Sequence, residues 1–414
     1  MTRSAADSAK AGTDGRQGFM LAVATIGFAV TFWAWALLSP LGASLREDLG
    51  LSSFEQSLLV AVPVIVGSLG RIPVGALTDK LGARRMFPAV ALLTAVPVLY
   101  LGHGADSLAG YLAGGFLLGL GGTTFAIGVP FVNSWYPPQR RGFALGVFGA
   151  GMGGTAISSF TTVRLSDSFG RSFPFDLVAV ILVVYAVAAY LLLRDRSGRA
   201  VATGGMLARL AMTLRLPVTL QMSFLYAVAF GGFVAFSVYL PTYLVTACEL
   251  EREDAAVRTA GFVVLAVIMR PVGGWLCDKV DPVSVLTVAF GVTALLAVVV
   301  AFEPPLVPFG TIAFLGMAAA LGTGTGAVFA LVARLVPPER VGSVTGVVGA
   351  AGGLGGFFPP LVMGAVYGVT GGYMLGFLLL AVTALLAAVF TATTLRRRVA
   401  ASGAALAGNP AWSR

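Results

Sequence analysis

Long apolar runs alternate with short polar breaks along the whole chain, and the breaks mark off twelve segments: 18–43, 54–78, 86–103, 108–134, 141–163, 174–193, 217–246, 257–278, 283–302, 306–333, 342–367 and 372–395. A run of about 20 apolar residues, coiled at about 1.5 Å per residue, crosses the roughly 30 Å hydrocarbon layer of a bilayer. Only helices or closed barrels satisfy every backbone polar group in lipid, and runs this long exclude barrel strands. The pattern therefore predicts an all-α membrane protein with twelve transmembrane helices. The longest polar connector, "RDRSGRAVATGGMLARLAMTLRLP", leaves six segments on each side. The predicted organisation is a disordered cytoplasmic tail over 1–17, a six-helix half over 18–193, a cytoplasmic linker over 194–216, a second six-helix half over 217–395 and a cytoplasmic tail over 396–414. The first 17 residues are small and polar, without the apolar core of a signal peptide.

Composition agrees with this class. Of 414 residues, 57% are hydrophobic and 11% charged, against about a quarter charged in a soluble domain. The net charge of +9 invites a nucleic-acid reading. In a membrane chain it more simply reflects loops that face anionic lipid, so the bilayer is the expected partner and nucleic acid is not. Twenty Lys and Arg residues fall in the even-numbered connectors and the two tails, and five (Arg46, Arg164, Arg171, Arg252, Arg258) in the odd-numbered ones. Basic loops stay in the cytoplasm, which puts both termini there. Two cysteines, Cys248 and Cys277, and one histidine, His103, supply no metal-ligand spacing and no nucleophile–base pair. No metal, cofactor or enzymatic activity is expected.

Two Lys/Arg residues remain: Arg71 and Arg270 fall inside predicted spans. They belong to an internal repeat. "RIPVGALTDK" (71–80) aligns with "RPVGGWLCDK" (270–279) at an offset of 199, and "YPPQRRGFALGVFGAGMGG" (136–154) aligns with "VPPERVGSVTGVVGAAGGL" (336–354) at an offset of 200. The second pair brings out two glycine stripes, Gly142, Gly146, Gly149, Gly153 and Gly342, Gly346, Gly349, Gly353. Steps of four and three line one helix face with hydrogen-only side chains, which allows close helix approach and sliding. Two homologous six-helix halves in parallel, joined by a cytoplasmic loop, form the architecture of a major facilitator transporter. The chain resembles that superfamily in "GALTDKLGARR" as well, through Gly75, Asp79, Lys80, Gly82, Arg84 and Arg85. The second half retains Asp278 and Lys279 of this pattern. A carboxylate there can accept from loop arginines and a helix N-terminus, forming a cytoplasmic latch.

An arginine at the membrane centre costs at least a few kcal/mol. All eighteen acidic residues lie in tails, loops or span ends, so neither Arg71 nor Arg270 has an evident carboxylate partner. One explanation is that each bonds backbone carbonyls or polar side chains of adjacent helices. The other is that the missing charge is the substrate, a small oxyanion matched to the planar guanidinium fork. The pair, with the two glycine-rich segments, resembles the nitrate/nitrite porters of the superfamily. That resemblance implies a monomeric secondary transporter in the cytoplasmic membrane, which binds nitrate or nitrite at Arg71 and Arg270 and works by alternating access. Phe32, Trp35, Phe125, Tyr226 and Phe230 are the candidate aromatics to wall the anion, whose charge suits positive ring edges. "GAGMGG" departs from the family, some of whose members carry an asparagine in this segment. The absence of a midplane carboxylate or histidine favours nitrate/nitrite exchange over nitrate/proton symport. Export of another small or organic anion, and an anion sensor that transports nothing, are the other readings.

Overall fold

A computed structural model describes residues 2–137, 140–196, 206–336 and 338–398. The described residues contain helices and no strand. In chain order these are α1 (Thr2–Trp35), α2 (Leu38–Leu49), α3 (Ser53–Leu69), α4 (Arg71–Leu81), α5 (Ala83–His103), α6 (Leu108–Leu118), α7 (Thr124–Trp135), α8 (Arg141–Gly149), α9 (Gly154–Phe169), α10 (Phe173–Leu192), α11 (Met206–Leu214), α12 (Pro217–Ala247), α13 (Arg252–Lys279), α14 (Pro282–Ala301), α15 (Thr311–Leu335), α16 (Pro338–Gly355), α17 (Phe358–Thr370) and α18 (Met374–Phe390).

The expected spans are all present, but several are built from two pieces. Span one is α1 with α2, span two α3 with α4, span four α6 with α7, span five α8 with α9, and span eleven α16 with α17. Among the described residues ten helical stretches are long and apolar enough to cross a membrane alone, and α3 with α4, bent by 40°, makes an eleventh. The pieces of the twelfth, α8 and α9, have 9 and 16 residues on either side of a 3-10 turn, Ala150–Gly153. Helix α1 continues back to Thr2, through the segment expected as a disordered tail; four alanines between positions 5 and 11 favour helix there. The tail segment 399–414 and linker residues 197–205 lie outside the described residues.

Start and stop signals follow local chemistry. Ser52 and Glu55 form a reciprocal capping box at α3, satisfying backbone N–H groups that the first turn leaves unpaired. Pro217 and Pro282 open α12 and α14, at positions where a missing N–H is harmless. Gly371, at φ +71°, ends α17 in the left-handed region, which glycine enters without strain.

Helices α5, α10, α14 and α18 form the outside. They pair as α5 with α10 and α14 with α18, equivalent partners in the two halves. Their outer faces carry Leu93, Val96, Val184, Val187, Val288, Leu295, Val382 and Leu386, all exposed. Large aliphatics exposed this densely belong against lipid. The fold is thus a multi-pass membrane protein of two six-helix bundles. The bundles meet where α9 packs on α13, α3 on α16 and α17, and α2 on α12. The first two contacts exchange under the repeat, span five with eight and span two with eleven. The third, span one with seven, maps onto itself.

Candidate functional site

The bend between α3 and α4 falls at Gly70, and Arg71 is the first residue after it. The structure brings Arg71 and Arg270 onto the same two rings. The Arg71 guanidinium carbon lies 5.4 Å from the centre of Phe125 and 5.8 Å from that of Phe230. That of Arg270 lies 5.9 and 5.8 Å from the same two. Phe125 comes from α7 in the first half and Phe230 from α12 in the second. Each ring is shared by both cations, so the two arginines flank one small volume at the junction of the halves.

Their hydrogen bonds differ. Arg71 is only 8% exposed and donates to two backbone carbonyls, Nε to Gly122 O at 3.3 Å and an η nitrogen to Gly349 O at 2.8 Å. Arg270 is half-buried. It donates to the Tyr226 hydroxyl at 3.1 Å and to the Met152 sulfur at 2.6 Å. Among the described residues neither guanidinium is paired with a carboxylate. Two bonds cross the junction in opposite directions. Arg71 reaches the second half's glycine stripe at Gly349, and Arg270 reaches the first half's glycine-rich segment at Met152.

The expected aromatics divide into two groups. Phe125, Tyr226 and Phe230 gather at the arginines, and Tyr226 stacks on Phe230 with ring centres 5.0 Å apart. Phe32 and Trp35 make their contacts within the first half, Trp35 beside Gly122. Phe32 packs edge-on against Phe28 at 4.4 Å, and Trp35 donates to Pro63 O. One ring was not singled out from the sequence: Phe329 of α15 lies 5.9 Å from Arg270 and 4.6 Å from Tyr226. The rings serve the guanidiniums directly. Cation–π contacts of about 0.5–2 kcal/mol each offset part of the cost of burying the two cations.

Two of the stripe glycines, Gly149 and Gly349, stand beside the arginines. A Cβ at Gly149 would first meet the Arg270 guanidinium at 3.9 Å, and one at Gly349 would meet Phe125 at 3.7 Å and Arg71 at 3.9 Å. Around Gly153 and Gly346 there is open space, and at Gly146 only Pro271 comes within 3.8 Å. Gly353 is the exception, closed against Ser68. Tight helix contacts fall to off-stripe glycines instead: a Cβ at Gly154 would lie 2.0 Å from Ala29 O, and one at Gly355 2.5 Å from Ala227 O. At Gly142 and Gly342 only the helix backbone is described.

The loop expected to act as a latch is a one-residue hinge. Gly82 stands between α4 and α5 at φ +88°, and Asp195 approaches so closely that a Cβ at Gly82 would lie 2.1 Å from its carboxylate. Ala83 N–H donates to Asp195 at 2.9 Å. Asp195, arriving from the end of α10, is therefore one carboxylate at the α5 N-terminus, and Asp79 stands near the end of α4 beside it. Arg84 lies over Tyr190 and donates to its carbonyl at 3.0 Å. In the second half Asp281 caps α14 from within its own loop, and Lys279 rests on Trp275. Gly75 is loosely packed, with only Ala126 within 3.8 Å. Lys80 and Asp278 are at the helix ends, and Arg85 is exposed.

The opposite face of the protein carries polar ties between the halves. Arg252 pairs with Glu47, and Arg164 with Glu253 at 2.5 Å. Ser39 donates to Val238 O at 2.7 Å.

The sequence pattern of the Major Facilitator Superfamily matches residues 24–358 and 259–413. A probable nitrate/nitrite transporter of Mycobacterium tuberculosis, NarK2, is 50% identical over 386 residues, 92% of this chain and 98% of that one. A nitrite extrusion protein of Bacillus subtilis is 37% identical over 375 residues, 89% and 92% of the two chains. Among solved structures, a D-xylose-proton symporter superposes with a TM-score of 0.72 at 16% identity, covering 90% of this chain and 96% of that one. The human organic anion transporter MFSD10 superposes with a TM-score of 0.72 at 15% identity, covering 91% and 99%. At such low identities the two structures bear on the fold alone.

Proposed function

The chain belongs to the major facilitator superfamily and to its nitrate/nitrite porters, and from that premise we propose that Arg71 and Arg270 together bind one nitrate or nitrite and carry it across the membrane by alternating access. The observation that carries this reading is the shared pair of rings: two guanidiniums, one from each half, face Phe125 and Phe230 with no carboxylate partner among the described residues. A planar monoanion supplies the missing charge and accepts from both forks.

The mechanism follows from the donors. In the structure Arg270 spends its donors on weak or replaceable acceptors, a thioether and a phenol, and an anion displaces them readily because charge-assisted bonds are roughly twice as strong. Arg71, held by two carbonyls, stays in place as the fixed side of the site. The bound anion then draws the halves together through both arginines. An empty site leaves two cations facing each other, which opposes closure. That makes exchange, nitrate against nitrite, the favoured mode, because the return step needs an anion too. With both termini in the cytoplasm, the face tied by Arg252–Glu47 and Arg164–Glu253 is extracytoplasmic. The conformation is then the one closed on its outer side.

Counterflow in proteoliposomes tests this. Labelled nitrate uptake is measured with nitrite, nitrate or no anion inside, with and without a pH gradient. Uptake that needs internal anion and ignores the pH gradient is expected. Uptake driven by the gradient into anion-free vesicles would replace exchange with symport. Failure of wild type to move either anion would remove the proposal.

A further inference from the structure

The outer face carries five arginines, and four of them are paired with carboxylates: Arg164 with Glu253, Arg171 with Asp48, Arg252 with Glu47 and Arg258 with Asp254. Arg46 is the fifth. Among the described residues it pairs with no carboxylate, although the outer connectors and the span ends beside them hold eleven of the chain's eighteen acidic residues. It donates through Nε to Leu51 O at 3.2 Å and turns an η nitrogen to Gln56 Oε1 at 3.5 Å. Most of its five N–H donors are left unused.

Arg46 stands at the outer mouth of the junction between the halves. Gln56 and Thr242 are each 1% exposed, and Gln56 Nε2 donates to the Thr242 hydroxyl at 3.3 Å, from α3 of the first half to α12 of the second. Gly42 of α2 adjoins this pair: a Cβ there would lie 3.4 Å from the hydroxyl and 3.7 Å from the amide nitrogen. Arg46 is one turn further along the same face of α2 and is half-buried. Inward from Gln56, α3 carries Ser57 against Gly364 of α17 and Ser68 against Gly353 of α16. Arg71 follows, bonded to Gly349 O of the other half. These contacts of α3 and α4 all run from one half to the other. Parting the halves on the outer side breaks them in turn and uncovers a polar line that leads from Arg46 to Arg71.

We infer that Arg46, with Gln56 and Thr242, forms an entry site where nitrate or nitrite first binds from outside, an inference that rests on the proposed transport of these anions. With eleven carboxylates against five arginines, the outer face as a whole repels a monoanion. Arg46 supplies a local attraction at the mouth of the opening. Opening also separates Gln56 from Thr242, which frees an amide N–H and a hydroxyl to donate to the anion. One half-buried cation with neutral donors holds an anion more loosely than two flanking guanidiniums do, so the anion passes inward to Arg71 and Arg270.

The test is a sided one. Uptake of labelled nitrate against saturating internal nitrite is measured in right-side-out vesicles, where the label meets the outer face, and in inverted vesicles, where it meets the cytoplasmic face. Arg46→Gln should raise KM about tenfold in the first and leave it within twofold in the second. Arg46→Lys, which keeps the charge, should stay within about threefold of wild type on both sides. Thr242→Val, which keeps the shape and loses the hydroxyl, should raise the outer KM about fivefold, as loss of one hydrogen bond implies, and it tests the site even if Arg46→Gln does not fold. A wild-type outer KM in Arg46→Gln or in Thr242→Val, a KM that rises equally on both faces, or an Arg46→Lys variant as impaired as Arg46→Gln would each overturn the entry site. Failure of wild type itself to exchange either anion would instead overturn the transport reading beneath it.

Discussion

The two halves share a sequence repeat and are built differently where it matters. In the first half spans one, two, four and five are each made of two helical pieces. In the second, spans seven and eight are continuous, as α12 and α13 with 31 and 28 residues, and span eleven is divided. Arg71 follows the 40° bend at Gly70 and is locked by two backbone carbonyls. Arg270 lies within the unbroken α13, half-buried, bonded to side chains. A similar division holds at the basic face: α5 receives its aspartate from distant Asp195, whereas α14 carries Asp281 in its own loop, at the position that aligns with Gly82. Repeat symmetry fixes where the parts go. The chemistry has diverged into a fixed side and a responsive side.

The sharpest way to break that comparison is to replace each arginine by lysine. Both variants keep a cation and lose the planar fork. Nitrate/nitrite exchange should fall about 100-fold or more in each, the equivalent of about 2.7 kcal/mol of lost charge-assisted bonding. Their stabilities should part. Arg71→Lys gives up the two bonds to Gly122 O and Gly349 O, at about 1.5–3 kcal/mol for a hydrogen bond to a charged group, and should melt several degrees lower. Arg270→Lys should melt as wild type does. Equal melting temperatures would dissolve the distinction between fixed and responsive arginines.

How much of this was legible without coordinates follows from what each feature leaves in the sequence. Twelve spans and the repeat are legible because burial in lipid demands a long apolar run and homologous halves keep their glycines and Asp-Lys pairs. The arginines stand out because charge inside such a run is rare. Their partners leave no such mark. Gly122 and Gly349 act through carbonyls that every residue has, Met152 reads as packing, and Phe329 is one of 28 phenylalanines. Phe32 and Trp35 have the right spacing for the site, but helix periodicity does not separate a face that looks at the arginines from one that packs inside its own half. Asp195 is hidden for another reason: 112 residues separate it from Ala83, and no local pattern joins them. The breaks in spans two, four and five depend on which glycines meet a neighbouring backbone, a tertiary property.

Glycines sharpen the comparison next. Gly153→Ala adds a methyl into open space, and Gly154→Ala drives one to 2.0 Å from Ala29 O. The second should destabilise by about 1–3 kcal/mol, the usual range for overpacking, and the first should hold or raise the melting temperature, since alanine is the better helix former by about 1 kcal/mol. If the open stripe provides room for the halves to rock, Gly153→Ala also slows exchange. Unchanged exchange would leave the stripe as space for Arg270 alone. Tyr226→Phe probes the responsive side. It removes a hydroxyl that an arriving anion must displace from Arg270, and KM for nitrate should fall by up to about tenfold, worth one hydrogen bond to a charged group, with little change in kcat. A drop in kcat at constant KM would move Tyr226 from binding to the conformational step.

The smallest effect concerns the caps. Asp195→Ala and Asp281→Ala each remove a carboxylate from a helix N-terminus, typically about 1 kcal/mol. Asp195→Ala should cost at least as much stability as Asp281→Ala, because Asp195 joins two helices. Their kinetic effects should differ. Asp195 ties the end of α10 to the start of α5 and so closes the basic end of the first half across span three. Asp281 accepts within its own loop, from Ser284 N–H and from the Ser284 hydroxyl, both at 3.2 Å. If the first half moves as one body, cutting the Asp195 tie loosens it, and exchange slows while the Asp281 variant keeps the wild-type rate. Equal rates in the two variants would mean that the long-range cap is only a cap, and that the divergence of the halves stops at the arginines.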